Sequence, residues 1–204
     1  EGKTQYYNNQ TDNYNQTHYQ LHFSHEFTPS LQLNAAAHYT HGIGYYEEYK
    51  TGRSYADYGL TPDTIAGVAL TETDLVRQKW LDNDFYGVTY SLNYETKKII
   101  ATLGGAANQY AGKHFGKVIW VRDGNNVDMS KDWYRSTSLK NDVNIYAKIN
   151  AEVLKNLFGS ADLQYRYISY SMNGTDDKYD ETTGSMRNIT TQTPYVYNFF
   201  NPKF

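Results

Sequence analysis

Alternation of apolar and polar residues is the feature of this sequence that most restricts its fold. Within residues 17–27, Tyr19, Leu21 and Phe23 share one face of a predicted strand, and histidines and other polar residues share the opposite face. A short turn leads into a second alternating stretch. Pairing the two stretches so that Tyr19 lies opposite Tyr39 gathers the apolar residues on one face, as a correct register requires. The sequence therefore predicts a β-hairpin.

The same pattern returns twice along the chain. The three predicted hairpins span about residues 17–41, 85–110 and 142–172. Their strands have about ten residues each, the length that a tilted strand needs to cross a membrane. Long connections follow them, at about residues 42–84, 111–141 and 173–194. Short turns on one rim and long loops on the other are typical of outer-membrane barrels, whereas a soluble sandwich usually has short or moderate loops at both ends.

The predicted fold class is all-β: an antiparallel meander of hairpins that forms an arc of a large transmembrane β-barrel with long extracellular loops. Six or seven strands are too few to close a barrel, and the termini, Glu1 and Phe204, suggest an excerpt of a longer protein. One short helix is expected in the first long loop, where Thr71 and Asp74 have capping-box spacing. Two alternatives stay open: a soluble β-sandwich that binds a ligand or glycan, and a complete small barrel with further strands from the ends of the chain.

Composition excludes several other classes. The chain has no Cys, which removes disulfide scaffolds and thiolate chemistry. A net charge of −3 gives no electrostatic case for binding nucleic acid. No apolar run is long enough for a transmembrane helix. The sequence also contains no nucleophile–base pairing, phosphate loop or metalloprotease motif, so neither an enzyme nor a bound cofactor is predicted.

Several segments, in their order and spacing, resemble part of a known family of membrane proteins. These are Thr17–Phe23, Leu33–Lys50, Asp74–Gly87, Ala161–Tyr167 and Tyr197–Pro202. They are similar to the middle of the β-barrel of TonB-dependent outer-membrane receptors of the Bacteroides type. No single segment is a catalytic-style motif.

The resemblance implies TonB-dependent uptake of a scarce nutrient across the outer membrane of a Gram-negative bacterium. The nutrient would be a small molecule or glycan: a siderophore, cobalamin, haem or sugar. Implied partners are outer-membrane lipid, the plug domain of the full-length receptor and, through that protein, TonB. Neither a plug nor a TonB box is recognisable in these 204 residues.

Aromatic residues of the long connections are the candidate ligand-binding residues. They are Tyr45, Tyr46, Trp80, Trp120 and Trp133. Exposed aromatic rings stack on flat or sugar ligands, but they also pack loops against each other or anchor a barrel at the membrane interface. As a group they are the best candidates for capturing a ligand.

Polar residues of the alternating strands are expected to line the barrel lumen. These are His18, His22, His38, Lys148, Asp162 and Arg166. Lys148 is predicted to lie opposite Asp162, as a cross-strand ion pair that keeps the register. The three histidines lie on one face at diagonal positions, where a divalent ion is conceivable, but solvated lumen histidines are the favoured interpretation. No metal site is predicted.

Overall fold

The alternating stretches form one large antiparallel sheet in the computed structural model, which describes residues 7–62, 64–65, 67–124 and 127–204. Its strands are β1 (Asp12–Thr28), β2 (Leu31–Ser54), β5 (Glu72–Glu95), β6 (Ile99–Val121), β7 (Tyr134–Leu154), β8 (Leu157–Asp180), β9 (Ser185–Asn188) and β10 (Tyr195–Lys203). The order across the sheet is β1-β2-β5-β6-β7-β8-β10, and β9 also pairs with β8. A separate two-stranded sheet joins β3 (Thr64–Ile65) to β4 (Val68–Ala69). The all-β meander is thus confirmed, and the sheet does not close on itself.

The predicted registers are confirmed within the segments predicted as hairpins. Tyr19 lies opposite Tyr39 and Leu21 opposite Ala37, while Lys148 lies opposite Asp162. We call the side of the sheet that carries Leu21, Leu103 and their row neighbours the apolar face, and the other side the polar face. We call the end with the tight turns at residues 29–30, 96–98 and 155–156 the turn end, and the opposite end the loop end.

The strands continue far beyond the predicted hairpins, which corrects the expected loop boundaries. β2, β5 and β8 have 24 residues each, a length of about 80 Å. Most of the segments 42–84, 111–141 and 173–194 is therefore strand, and the connections shrink to residues 55–71, 122–133, 181–184 and 189–194. Both faces carry aromatic and charged residues there, so the sequence no longer alternates between apolar and polar residues. The hydrogen-bonded ladder of the backbone nevertheless continues.

The predicted helix after Thr71 is also wrong. Residues 72–80 belong to β5, which pairs with β2 and, from Leu75 onward, also with β6. This cross-strand pairing engages the backbone of the segment, which outweighs a local capping preference. The helical turn of this region is a 3₁₀ helix at Ala56–Tyr58, which ends on Gly59 with φ of 60°.

Glycines in the strands allow tyrosine rings to lie across the neighbouring backbone. A Cβ atom on Gly104 would lie 2.5 Å from the Tyr146 hydroxyl oxygen, and one on Gly42 would lie 2.0 Å from that of Tyr14. At Gly104 the Tyr90 carbonyl oxygen would also be only 2.8 Å from the added Cβ, so a larger residue is unfavourable there, whereas at Gly42 the Tyr14 ring would have to move.

The densest packing lies at the loop end, on the polar side of the sheet. Its buried residues are Tyr55, Tyr58, Leu60, Leu75, Val118, Val121, Val127, Trp133 and Tyr134. By contrast, the apolar face of the central strands is open, with Leu21 72% and Leu103 45% exposed. In the part of the chain that the structure describes, no helix is long and apolar enough to cross a membrane.

Candidate functional site

The five predicted ligand-binding aromatics do not form one site. Tyr45, Tyr46, Trp80 and Trp120 belong to strands, as the register of β2, β5 and β6 shows, and Trp133 is the last residue of the connection before β7. Tyr45, Trp80 and Trp120 lie on the continuation of the apolar face. Tyr46 and Trp133 lie on the polar side, and two separate arrangements must therefore be considered.

On the continuation of the apolar face, aromatic rings form a row across three strands. Tyr45 and Trp80 have ring centroids 4.4 Å apart, and Trp80 is nearly parallel to Phe115 at 5.8 Å. The guanidinium of Arg135 lies 4.4 Å from the Phe115 centroid and ends the row. The rings pack against each other, which is the arrangement expected of strand-to-strand packing. Trp120 lies apart from this row, 6.1 Å from Tyr49.

On the polar side, two cations lie among aromatic rings. We call Tyr46, Tyr58, Arg77, Lys79 and Trp133 the cation–aromatic cluster. The Lys79 ammonium is 5.8 Å from the Tyr46 centroid and 6.0 Å from that of Trp133. The Arg77 guanidinium is 6.0 Å from Tyr58 and 5.9 Å from Trp133. Trp133 is thus a wall shared by both cations, at distances where cation–π attraction operates.

A carboxylate faces each cation of the cluster. Arg77 donates from Nε and from a terminal nitrogen to Glu48 Oε2, at 3.0 and 2.8 Å, and from its other terminal nitrogen to the Tyr58 hydroxyl at 3.0 Å. Lys79 forms an ion pair with Asp177. The side chains of Arg77 and Lys79 are only 16% and 17% exposed, whereas that of Asp177 is 35% exposed.

These carboxylates have lowered pKa values. Burial alone would raise the pKa of Glu48, but hydrogen bonds from Lys50 and Arg77 outweigh it, and the pKa falls below its ordinary value. Burial likewise opposes ionisation of Asp177, and Lys79 lowers the pKa of that carboxyl. Both cation–carboxylate pairs are therefore charged at neutral pH. The cluster lies well beyond the central apolar band, at the loop end.

Asp177 meets the cluster because the end of β8 crosses the polar side of the sheet. β8 stops pairing with β7 at Gly174, whose φ of 112° favours glycine. Beyond it, β8 and β9 form a hairpin that contacts the 3₁₀ helix, and Met186 of β9 packs on the buried residues. Asp177 thereby reaches Lys79 of β5 across two intervening strands. We call residues 175–188 the cap hairpin.

The predicted lumen residues face one side but take separate partners. His18 Nδ1 is 3.0 Å from Thr40 Oγ1, His22 Nε2 is 3.2 Å from Gln20 Oε1, and His38 Nε2 is 2.9 Å from Asn108 Oδ1. Arg166 lies directly opposite Asn144, but its Nε donates to Asp142, the diagonal neighbour, at 2.9 Å. Lys148 lies opposite Asp162 as predicted. Lys148 and Asp162 do not form an ion pair with each other. The described residues contain no group of His, Asp and Glu side chains that could hold a metal ion.

Sequence reasoning missed Glu48, Arg77, Lys79 and Asp177. A signal was present, since Leu75, Arg77 and Lys79 alternate with Val76, Gln78 and Trp80 at strand spacing. Interpreting that segment as a strand would have placed both cations on one face beside Tyr46. Asp177 had no comparable signal, because its position depends on the fold of the cap hairpin.

Comparison with known protein families finds no family that matches this chain, and comparison with curated proteins finds no match either.

Proposed function

We propose that the chain forms an arc of an outer-membrane β-barrel of the TonB-dependent receptor type, and that it serves in the uptake of a scarce nutrient. The observation that carries the proposal is the open apolar face of the central sheet. Leu21, Val88 and Ile145 are 72%, 50% and 48% exposed on this face. In a barrel that face contacts lipid, and the polar face with its hydrogen-bonded histidines lines the lumen.

The dimensions of the apolar band support this proposal. On β2 it extends from Leu31 to Tyr39, about 26 Å along the strand, and such barrels have an outward apolar band about 25 Å tall. Tyrosines lie at both borders: Tyr94 beside Leu31, and Tyr86 beside Tyr39. Amphipathic rings at the borders of an apolar band are suited to the interfaces of a membrane.

The uptake function rests on the family resemblance and on the location of the cation–aromatic cluster. The cluster lies on the lumen side of the proposed barrel, at the end with the longer connections, which is the extracellular end of outer-membrane barrels. A small molecule or glycan would meet this end first. The plug domain and TonB of a full-length receptor would then supply the coupling to energy.

The alternative, a soluble sandwich, needs a second sheet packed on the apolar face. Among the described residues, the second sheet is the two-stranded β3–β4 pair alone. Two strands of two residues each cannot cover strands of more than 20 residues. The barrel arc is the better account of this face.

Labels on two neighbouring residues of one strand distinguish the barrel arc from the soluble sandwich. Because the chain lacks Cys, Ile145→Cys and Asn144→Cys each introduce a single thiol, on opposite faces of β7. We expect an environment-sensitive fluorophore at position 145 to be quenched by brominated lipid chains in vesicles, and the same fluorophore at position 144 to be quenched far less. Equal quenching at both positions would contradict the barrel arc.

The transport part of the proposal needs a cellular test. A strain that lacks the encoding gene should lose uptake of one nutrient class, and dissipating the proton gradient of the parent strain should abolish the same uptake. Uptake that persists without a proton gradient would refute TonB dependence while leaving the membrane arrangement intact.

A further inference from the structure

The geometry points to a binding site for a carboxylate ligand in the cation–aromatic cluster, and we propose that Asp177 occupies this site as an internal ligand. An incoming molecule with a carboxylate on a flat, apolar group would displace Asp177 and release the cap hairpin. This inference goes beyond the proposed uptake function and stands on the cluster alone, whether or not the apolar face contacts lipid.

The first step of the argument is the environment of Lys79. Its side chain is only 17% exposed and lies two residues from Arg77, which is also mostly buried. Holding two like charges close together and away from water is unfavourable unless anions compensate them. A surface ion pair would stabilise the hairpin with less desolvation. The arrangement is better suited to holding an anion than to structural support alone.

The second step is the shape of the site. The rings of Tyr46 and Trp133 flank Lys79 at 5.8 and 6.0 Å. Both natural anions of the cluster are carboxylates, from Glu48 and Asp177. Rings beside a cation favour a flat ligand whose carboxylate meets the ammonium.

The third step identifies which carboxylate can leave. Glu48 lies within β2 directly opposite Arg77 of β5, and it also contacts Lys50. Asp177 lies on the cap hairpin, beyond the point where β8 leaves β7. Its side chain is twice as exposed as that of Lys79, so it approaches the cluster from the solvent side. Asp177 is therefore the exchangeable anion.

A matched pair of variants tests this proposal in the full chain in detergent. Asp177→Asn removes the internal ligand. Asp176→Asn makes the same charge change on the adjacent residue, which pairs with Arg187 of β9 instead. Both are made in a background with Trp80→Phe and Trp120→Phe, so that Trp133 is the single fluorescent tryptophan. Benzoate is the probe.

We expect Asp177→Asn to bind benzoate saturably, with an apparent Kd at least tenfold lower than that of the parent. A tethered competitor has an effective concentration in roughly the millimolar range, and removing it raises the apparent affinity accordingly. Asp176→Asn should resemble the parent, and adding Lys79→Gln to Asp177→Asn should abolish binding. No gain in affinity over Asp176→Asn, or a gain that survives Lys79→Gln, would overturn the proposal.

A second measurement uses no variant at Asp177. In the parent chain, saturating benzoate should accelerate hydrogen exchange in the cap hairpin, because the displaced hairpin loses its contact with Lys79. Lys79→Gln should remove this response to benzoate. Exchange that benzoate leaves unchanged in the parent chain would refute displacement even if Asp177→Asn failed to fold.

Discussion

Replacing Leu75 by Ala tests whether the loop end of the sheet is an independent packed unit. Leu75 is fully buried, at 0% exposure, among Tyr55, Val118 and Val121. Leu→Ala at enclosed sites costs about 2–5 kcal/mol, because a cavity adds to the lost transfer free energy. A destabilisation of about 3 kcal/mol by Leu75→Ala should raise the equilibrium constant for local opening roughly 100-fold. Hydrogen exchange of peptides covering residues 55–60 and 72–80 measures this opening.

Leu103→Ala is the matched control. Leu103 is 45% exposed on the apolar face, where lipid or detergent would replace the lost contacts with others of similar polarity. We expect this variant to change the opening free energy by less than about 1 kcal/mol, a small loss of burial. Equal acceleration in both variants, or less than tenfold acceleration for Leu75→Ala, would refute a packed core at the loop end.

Three further predictions follow from the contacts of the chain. Gly104→Ala should destabilise the sheet by about 1–3 kcal/mol through overpacking against Tyr146, and denaturant unfolding should show partial recovery when Tyr146→Ser is added. The lowered pKa of Glu48 means that its contribution is complete above the ordinary value of about 4.3. That contribution should be lost as the pH falls through the lower folded-state pKa. Hydrogen exchange of residues 72–80 against pH should show this loss, and Glu48→Gln should flatten the dependence. The isolated chain should associate or aggregate in detergent-free buffer through its open apolar face and edges, and a sharp unfolding transition of a monomer in plain buffer would contradict this.

The middle of the sheet was predictable from the sequence because a two-residue alternation of apolar and polar side chains assigns every residue to one face or the other. Apolar residues at alternate positions around Leu21 and Ala37 permit a single register, since a shift by one residue would put every apolar side chain on the polar face. The tight turns of each hairpin leave little freedom in pairing. Registers such as Lys148 opposite Asp162 followed from these two constraints alone.

The loop end could not be predicted in the same way. Tyr45 and Tyr46 are adjacent, so aromatic residues point to both sides and the alternation disappears, although the backbone continues to pair. Thr71 and Asp74 offered a local helix signal that the ladder with β2 and β6 overrides. The contact between Lys79 and Asp177 joins residues 98 positions apart and depends on the bend at Gly174, which no local pattern reveals.

The two edges of the sheet restrict how the proposed barrel can close. β1 and β10 are separated by six antiparallel pairings, so they run in the same direction. Outer-membrane barrels of single chains are antiparallel throughout, so an odd number of additional strands must lie between β10 and β1. A second copy of this sheet in the same membrane orientation would place β10 beside a parallel β1. Rings built from copies alone would therefore contain parallel joints, and the barrel that we propose requires strands of a different sequence to complete it.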